Sequence, residues 1–143
     1  MQQISDSTFS LHPQLAADTA IIGDWPLCRV LLMNDANYPW LILVPRRNDI
    51  REIYQLEEID QRQLLRESSA LGAALMAEFG GEKLNIGALG NVVPQLHVHH
   101  IVRFSWDLAW PKPVWGAHPA NPYGDNERAE RILRLRERLK SLF

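Results

Sequence analysis

Apolar positions in this chain fall into runs with two kinds of spacing. Leu27-Cys28-Arg29-Val30-Leu31-Leu32-Met33 and Trp40-Leu41-Ile42-Leu43-Val44 are short and β-prone. Between them lies Asn34-Asp35-Ala36-Asn37-Tyr38-Pro39, rich in turn formers, so the pair predicts a hairpin that ends at Pro45–Asp49. From Leu56 to Phe79 the period changes. Leu56, Ile59, Leu64, Leu71, Leu75 and Phe79 recur near helical spacing, with Glu57, Glu58 and Asp60 in the first turn and Gly80-Gly81 as a stop. One long helix of this kind can cover one face of a small antiparallel sheet. Lys83–Ala88 and Leu96–Phe104 read as further strands, with Gly90-Asn91 as a turn between them. Before the hairpin, the first two dozen residues read as a loose arm with one short helix near Pro13–Ala17.

The end of the chain changes character twice. Trp106–Gly124 holds Trp110, Trp115 and four prolines (111, 113, 119 and 122), and reads as an ordered but irregular flap. Packing onto the core is the expected role for at least two of Trp106, Trp110 and Trp115; a base-stacking or dimer-contact surface is the other use of such rings. Glu127–Leu142 reads as an amphipathic helix with Ala129, Ile132, Leu135, Leu139 and Leu142 on one stripe. Its other face is charged, and Glu127–Arg131 and Glu130–Arg134 have the spacing of helical ion pairs.

Composition narrows the class. At 143 residues, with 46% hydrophobic and 22% charged positions, the chain suits one folded domain (1–143) rather than two or a disordered segment. A net charge of −2 gives no global basic bias toward nucleic acid. The single cysteine, Cys28, excludes an internal disulfide framework. No apolar run reaches the roughly 18 residues that span a bilayer. The opening Met1–Asp6 lacks the basic and apolar regions of a secretory signal, so a cytoplasmic protein without a membrane partner is expected.

The chemistry concentrates in Gln95-Leu96-His97-Val98-His99-His100-Ile101-Val102-Arg103. On a strand, alternate side chains share a face. Gln95, His97, His99, Ile101 and Arg103 then point one way, and Leu96, Val98, His100 and Val102 the other. Two imidazoles one residue apart, projecting into an open pocket, can grip one phosphate or one metal ion. In the first use, a neutral imidazole attacks phosphorus while its neighbour donates to phosphate oxygens. In the second, zinc needs further ligands; His12 and His118 could close the set, though each lies beside a proline in an irregular segment. His100, alone on the apolar face, is expected to be a buried, hydrogen-bonded neutral ring. Arg103, Lys112, Arg46 and Arg47 are candidate phosphate cations, Arg103 first because it shares the face of His97 and His99.

The stretch Gly90-Asn91-Val92-Val93-Pro94-Gln95-Leu96-His97-Val98-His99-His100-Ile101-Val102-Arg103 resembles the signature of the histidine-triad (HIT) superfamily. That signature is a Gly-Gln turn and a spacer, then His-φ-His-φ-His-φ-φ on a strand, φ being hydrophobic. The resemblance covers about residues 25–104, leaving 105–143 as flap and helix. It implies an α+β fold with a five-stranded antiparallel sheet, a long helix packed on one face, and a homodimer. It also implies a nucleotide phosphohydrolase or nucleotidyl transferase acting on dinucleoside polyphosphates or nucleoside phosphoramidates. No cofactor is required, though a divalent cation can accompany the substrate. Carried over by position, His97 is the nucleophile that forms a nucleotidyl-histidine, and His99 holds the non-bridging phosphate oxygens. Asn85 and Asn91 fall at phosphate or leaving-group contacts, and Asn34 at the ribose side.

Three positions depart from the pattern. Gln95 stands at the first triad position, Trp40 where many members carry a further histidine, and Val92 where a hydroxyl residue is common. Gln95 cannot titrate near neutral pH, so a proton relay through that position is lost, although its backbone carbonyl can still orient His97. The alternatives to the enzyme are a non-catalytic nucleotide-binding module and a metal-dependent enzyme with His97 and His99 as ligands.

Overall fold

The computed structural model describes residues 8–143. Residues 1–7 of the expected arm lie outside the described residues. In chain order the elements are α1 (Pro13–Asp18), β1 (Thr19–Asp24), β2 (Cys28–Met33), β3 (Trp40–Pro45), a 3-10 turn (Ile53–Gln55), α2 (Glu58–Phe79), β4 (Lys83–Gly87), β5 (Val98–Arg103) and α3 (Asp125–Leu139). The strands form one antiparallel sheet in the order β1-β2-β3-β5-β4. This is the α+β architecture of the histidine-triad resemblance. The hairpin, the long helix and both later strands lie where the spacing predicts them. β1 was not expected: a register shift between Ile21 and Gly23 breaks its alternation. Among the described residues no helix is long and apolar enough to cross a membrane.

α2 lies on one face of the sheet. Its Leu64, Leu71 and Leu75 pack with Val30, Leu32, Leu41, Leu43, Val98 and Val102, and Leu135 and Leu139 of α3 complete this core. Gly80 ends the helix at φ 63°, a left-handed cap that costs glycine little. Ile59 departs from its predicted stripe: it is 68% exposed, because at about 100° per residue it falls on the opposite side of α2 from Leu64, Leu71 and Leu75. The predicted pairs within α3 also give way to tertiary contacts. Arg134 and Arg138 reach Glu78 of α2, and Arg131 lies over the rings of Phe79 and Tyr123.

The second face is covered too: the flap packs onto the core, as its tryptophans predict, and α1 joins it there. Leu31, Trp40, Ile42, Val44 and Ile101 lie under Leu15 of α1 and under Ala109 and Val114 of the flap. β3 and β5 are therefore buried along their whole lengths. A strand covered on both sides needs near-continuous apolar sequence, and Trp40–Val44 has it.

Candidate active site

β5 pairs with β3 on one side and β4 on the other, so its outward residues sit at the centre of the sheet. His99 lies between Ile42 and Gly87, and Ile101 between Trp40 and Asn85. His97 precedes the first strand residue and keeps the alternation, with its ring 5.0 Å from that of His99. Both rings are on the face away from α2. His100 points to α2, as the spacing predicts.

Hydrogen-bond chemistry fixes the protons of all three rings. A carbonyl only accepts, so His97 donates from Nδ1 to the Gln95 carbonyl at 2.7 Å. The neutral ring then carries its lone pair at Nε2. An indole only donates, so Trp40 Nε1 gives its proton to His99 Nδ1 at 3.0 Å, and His99 is protonated at Nε2. The two neighbours are thus opposite tautomers: an in-plane lone pair on His97 and an N–H donor on His99. Burial, then the adjacent His97 and His100 rings, push the His99 pKa down to about 3. His100 donates from Nδ1 to the Val98 carbonyl at 3.0 Å and accepts at Nε2 from Ser68 Oγ at 2.7 Å. Burial outweighs the Val98 contact and lowers its pKa to about 4.

The expectation of an open pocket is corrected. His97 is 7% exposed and His99 6%. Trp40 and Trp115 flank His99 at 5.6 and 5.5 Å. Trp115 lies over Gly87, where a Cβ would come within 3.0 Å of its ring. His97 borders a cavity of about 10 Å³, enough for roughly one water. Arg51, Glu52, Ala88–Gly90, Gln95 and Leu96 form its other walls. A second cavity of about 340 Å³ shares Arg51 and Gln95 with it and continues between Ser10–Pro13 and Asn48–Ile50. The sheet face is closed because arm and flap bury the hydrophobic side chains around the histidines.

The Gln95 side chain is turned to the arm. Its Oε1 accepts from the backbone N–H of His12 at 2.8 Å, and its Nε2 donates to the Ser10 carbonyl at 3.0 Å. The His12 ring accepts from Gln14 N–H and caps α1. His118 is exposed on the flap. Among the described residues no group of three His, Cys, Asp or Glu side chains is arranged to hold a metal.

The remaining predicted residues fall into separate settings. Asn91 and Val92 lie on the exposed loop between β4 and β5. Asn34 accepts from Tyr123 N–H at 3.0 Å, which ties the flap's end to β2. Asn85 shares the face of His99, and its Oδ1 accepts from Arg103 Nη1 at 2.8 Å. Arg103 is 1% exposed and not presented as a surface cation. It is bidentate to Asp107 at 2.8 and 3.0 Å and lies against the Tyr38 and Trp110 rings. Arg46 bonds the Trp25 and Pro26 carbonyls, Arg47 is bidentate to Asp60, and Lys112 is exposed on the flap. Of the three flap tryptophans, Trp115 covers His99, Trp110 lies over Arg103, and Trp106 stacks on Phe104 while 74% exposed.

Sequence reasoning missed Arg51 and Asp107, and it named Trp115 without placing it over His99. Arg51 and Asp107 lie outside the strand alternation that singled out the histidines. The only trace of Trp115's place is Gly87, a strand residue with no side chain opposite His99.

The fold is shared with known proteins. Three solved structures are similar over nearly their whole lengths. A histidine triad protein from Marinobacter aquaeolei VT8 is 54% identical with a TM-score of 0.92, covering 94% of this chain and 98% of its own. A histidine triad protein from Bradyrhizobium japonicum is 51% identical with a TM-score of 0.88, covering 91% and 97%. One from Sinorhizobium meliloti 1021 is 46% identical with a TM-score of 0.91, covering 94% and 100%. The Caenorhabditis elegans NitFhit protein, 17% identical with a TM-score of 0.63, shares the fold. No curated protein matches the sequence. The profile of the HIT domain matches residues 14–106, which takes in the whole sheet, α2 and His97, His99 and His100, and with it the chain belongs to the HIT family.

Proposed function

We propose that this protein is a nucleotide phosphohydrolase or nucleotidyl transferase that works through a covalent intermediate on His97. Membership of the HIT family supports a nucleotide-binding hydrolase or transferase. The observation that carries the finer reading is the pair of opposite tautomers held by Gln95 and Trp40. His97 Nε2 attacks the α-phosphorus, and the bond to the leaving group breaks with its electron pair on that group. His99 Nε2–H donates to a non-bridging oxygen as negative charge grows there. Water then attacks phosphorus, the P–N bond breaks, and the nucleoside monophosphate departs as a proton passes to solvent. An acceptor other than water makes the same sequence a transfer. A side-chain amide at position 95 passes no proton, so a leaving group stable as an anion is favoured. Of the two substrate classes, dinucleoside polyphosphates, which release a phosphate anion, are then the better, and nucleoside phosphoramidates, whose amine needs a proton, the poorer.

The test is incubation of wild type and His97→Ala with diadenosine polyphosphates and adenosine phosphoramidate, with mass spectrometry of acid-quenched protein. Product and a nucleotidyl adduct on His97, both absent in the variant, are expected. Nucleotide binding without turnover makes the chain a binding module.

The protein acts as a homodimer in this reading. β4 is an edge strand, and beside it Leu65, 68% exposed, and Ile86, 51% exposed, line an apolar groove with Ile53 and Val98. Pairing of two such edges would cover it. Sedimentation should give a dimer that Leu65→Glu dissociates; a wild-type monomer at micromolar concentration removes the assignment.

A further inference from the structure

A nucleotide brings negative charge to His97, and some group must meet it. His99 stays neutral at physiological pH. Arg103 is neutralised by Asp107, Arg47 by Asp60, and Arg46 is turned to backbone carbonyls and Asp24. One arginine borders His97 itself: Arg51 lines the same small cavity. It also lines a second cavity of about 340 Å³, a space large enough for a further charged group. Its backbone is anchored while its side chain is exposed, because Gln55 Oε1 accepts from the N–H groups of both Arg51 and Glu52, at 2.8 and 3.0 Å. Glu52 lines the His97 cavity as well, so an anion there depends all the more on the guanidinium.

We infer that Arg51 binds the phosphate beyond the attacked phosphorus and so selects substrates whose leaving group is itself a phosphate. This rests on the nucleotidyl-transfer reading of His97. When the P–O bond breaks, its electron pair stays on the departing phosphate oxygen, and the guanidinium N–H groups meet that charge with no proton required. An amine leaving from a phosphoramidate instead needs a proton and offers Arg51 no anion.

The experiment compares wild type, Arg51→Ala and Arg51→Lys on a diadenosine polyphosphate and on adenosine phosphoramidate. Arg51→Ala should lose about 10- to 100-fold in kcat/KM on the polyphosphate, the size of one charge-assisted hydrogen bond, and less than ~3-fold on the phosphoramidate. Arg51→Lys should recover part of the loss. Equal losses on the two substrates, or none on either, overturn the inference. Calorimetric binding of ADP and AMP gives a reading that needs no turnover: wild type should prefer ADP, and Arg51→Ala should erase the preference. If no substrate is turned over but this pattern holds, the covalent mechanism fails and the Arg51 subsite stands. If Arg51→Ala leaves the preference intact, the subsite fails whatever the turnover.

Discussion

Trp40 donates its indole N–H to Nδ1 of His99 across the β3–β5 pair, at 3.0 Å. An indole has no other hydrogen-bonding mode, so this one contact sets which edge of His99 carries the proton. Trp40→Phe keeps the aromatic packing and removes the donor. His99 is then free to take either tautomer, and the N–H facing a phosphate oxygen is no longer guaranteed. The expected loss in kcat is about 10- to 100-fold, with a near-native circular dichroism spectrum and little change in KM. Unchanged kcat would show that the tautomer does not matter to the chemistry.

Arg103 and Asp107 form a buried ion pair that ties the flap to β5. Asp107 also accepts from Phe104 N–H and Trp110 N–H, so it organises the turn leading into the flap. Removing one partner leaves a charge without compensation. Arg103→Met should destabilise by about 3 to 5 kcal/mol, and the double variant Arg103→Met with Asp107→Leu should recover much of that. Urea unfolding of the three proteins checks this; equal stability of single variant and wild type would contradict it.

How much of this was legible in the sequence depends on the range of the interaction. The period-2 alternation through Gln95–Arg103 told which residues share a face, and it separated His100 from its neighbours correctly, because alternation is local. It could not say what lies above that face. Arg103 shares the face of His97 and His99, yet its charge is consumed by Asp107, four residues on and beyond the strand's end. The arm and flap that close the site are held through contacts such as Gln95 to Ser10 and His12, and Tyr123 to Asn34, more than eighty residues apart in sequence. No spacing rule reaches that far. Ile59 shows a different limit: it lies five residues before Leu64, about 140° round the helix, so near-helical recurrence alone does not put it on the buried face.

Gln95 serves the site and the arm through different atoms. Its carbonyl orients His97, while its side-chain amide holds Ser10 and His12. Gln95→Ala should therefore loosen the arm and leave the His97 tautomer in place. The two lost hydrogen bonds are each worth about 1 kcal/mol. Faster amide exchange at His12 and earlier proteolysis before α1 are expected, with the His97 ring NMR signals unmoved. A shift of those signals with an unchanged arm would reverse the assignment of roles.

His99 and His100 make stability depend on pH in a defined window. Their folded pKa values are about 3 and about 4, both lowered mainly by burial, whereas an unfolded histidine titrates near 6.5. Between pH 6.5 and about 4 the unfolded chain binds protons that the folded rings refuse. Unfolding is therefore favoured as pH falls, and stability is fully present only above about 6.5. The slope is about 1.4 kcal/mol per pH unit for each ring. Asp107 adds its own dependence at lower pH. Burial alone would raise its pKa, but the Arg103 hydrogen bond and the two backbone N–H groups outweigh that and hold the carboxyl below its usual range. Urea unfolding at pH 7 and pH 5 should show the fall, and His100→Gln should remove about half of it. A free energy of unfolding that stays level between those pH values would mean that these rings accept protons within the folded protein.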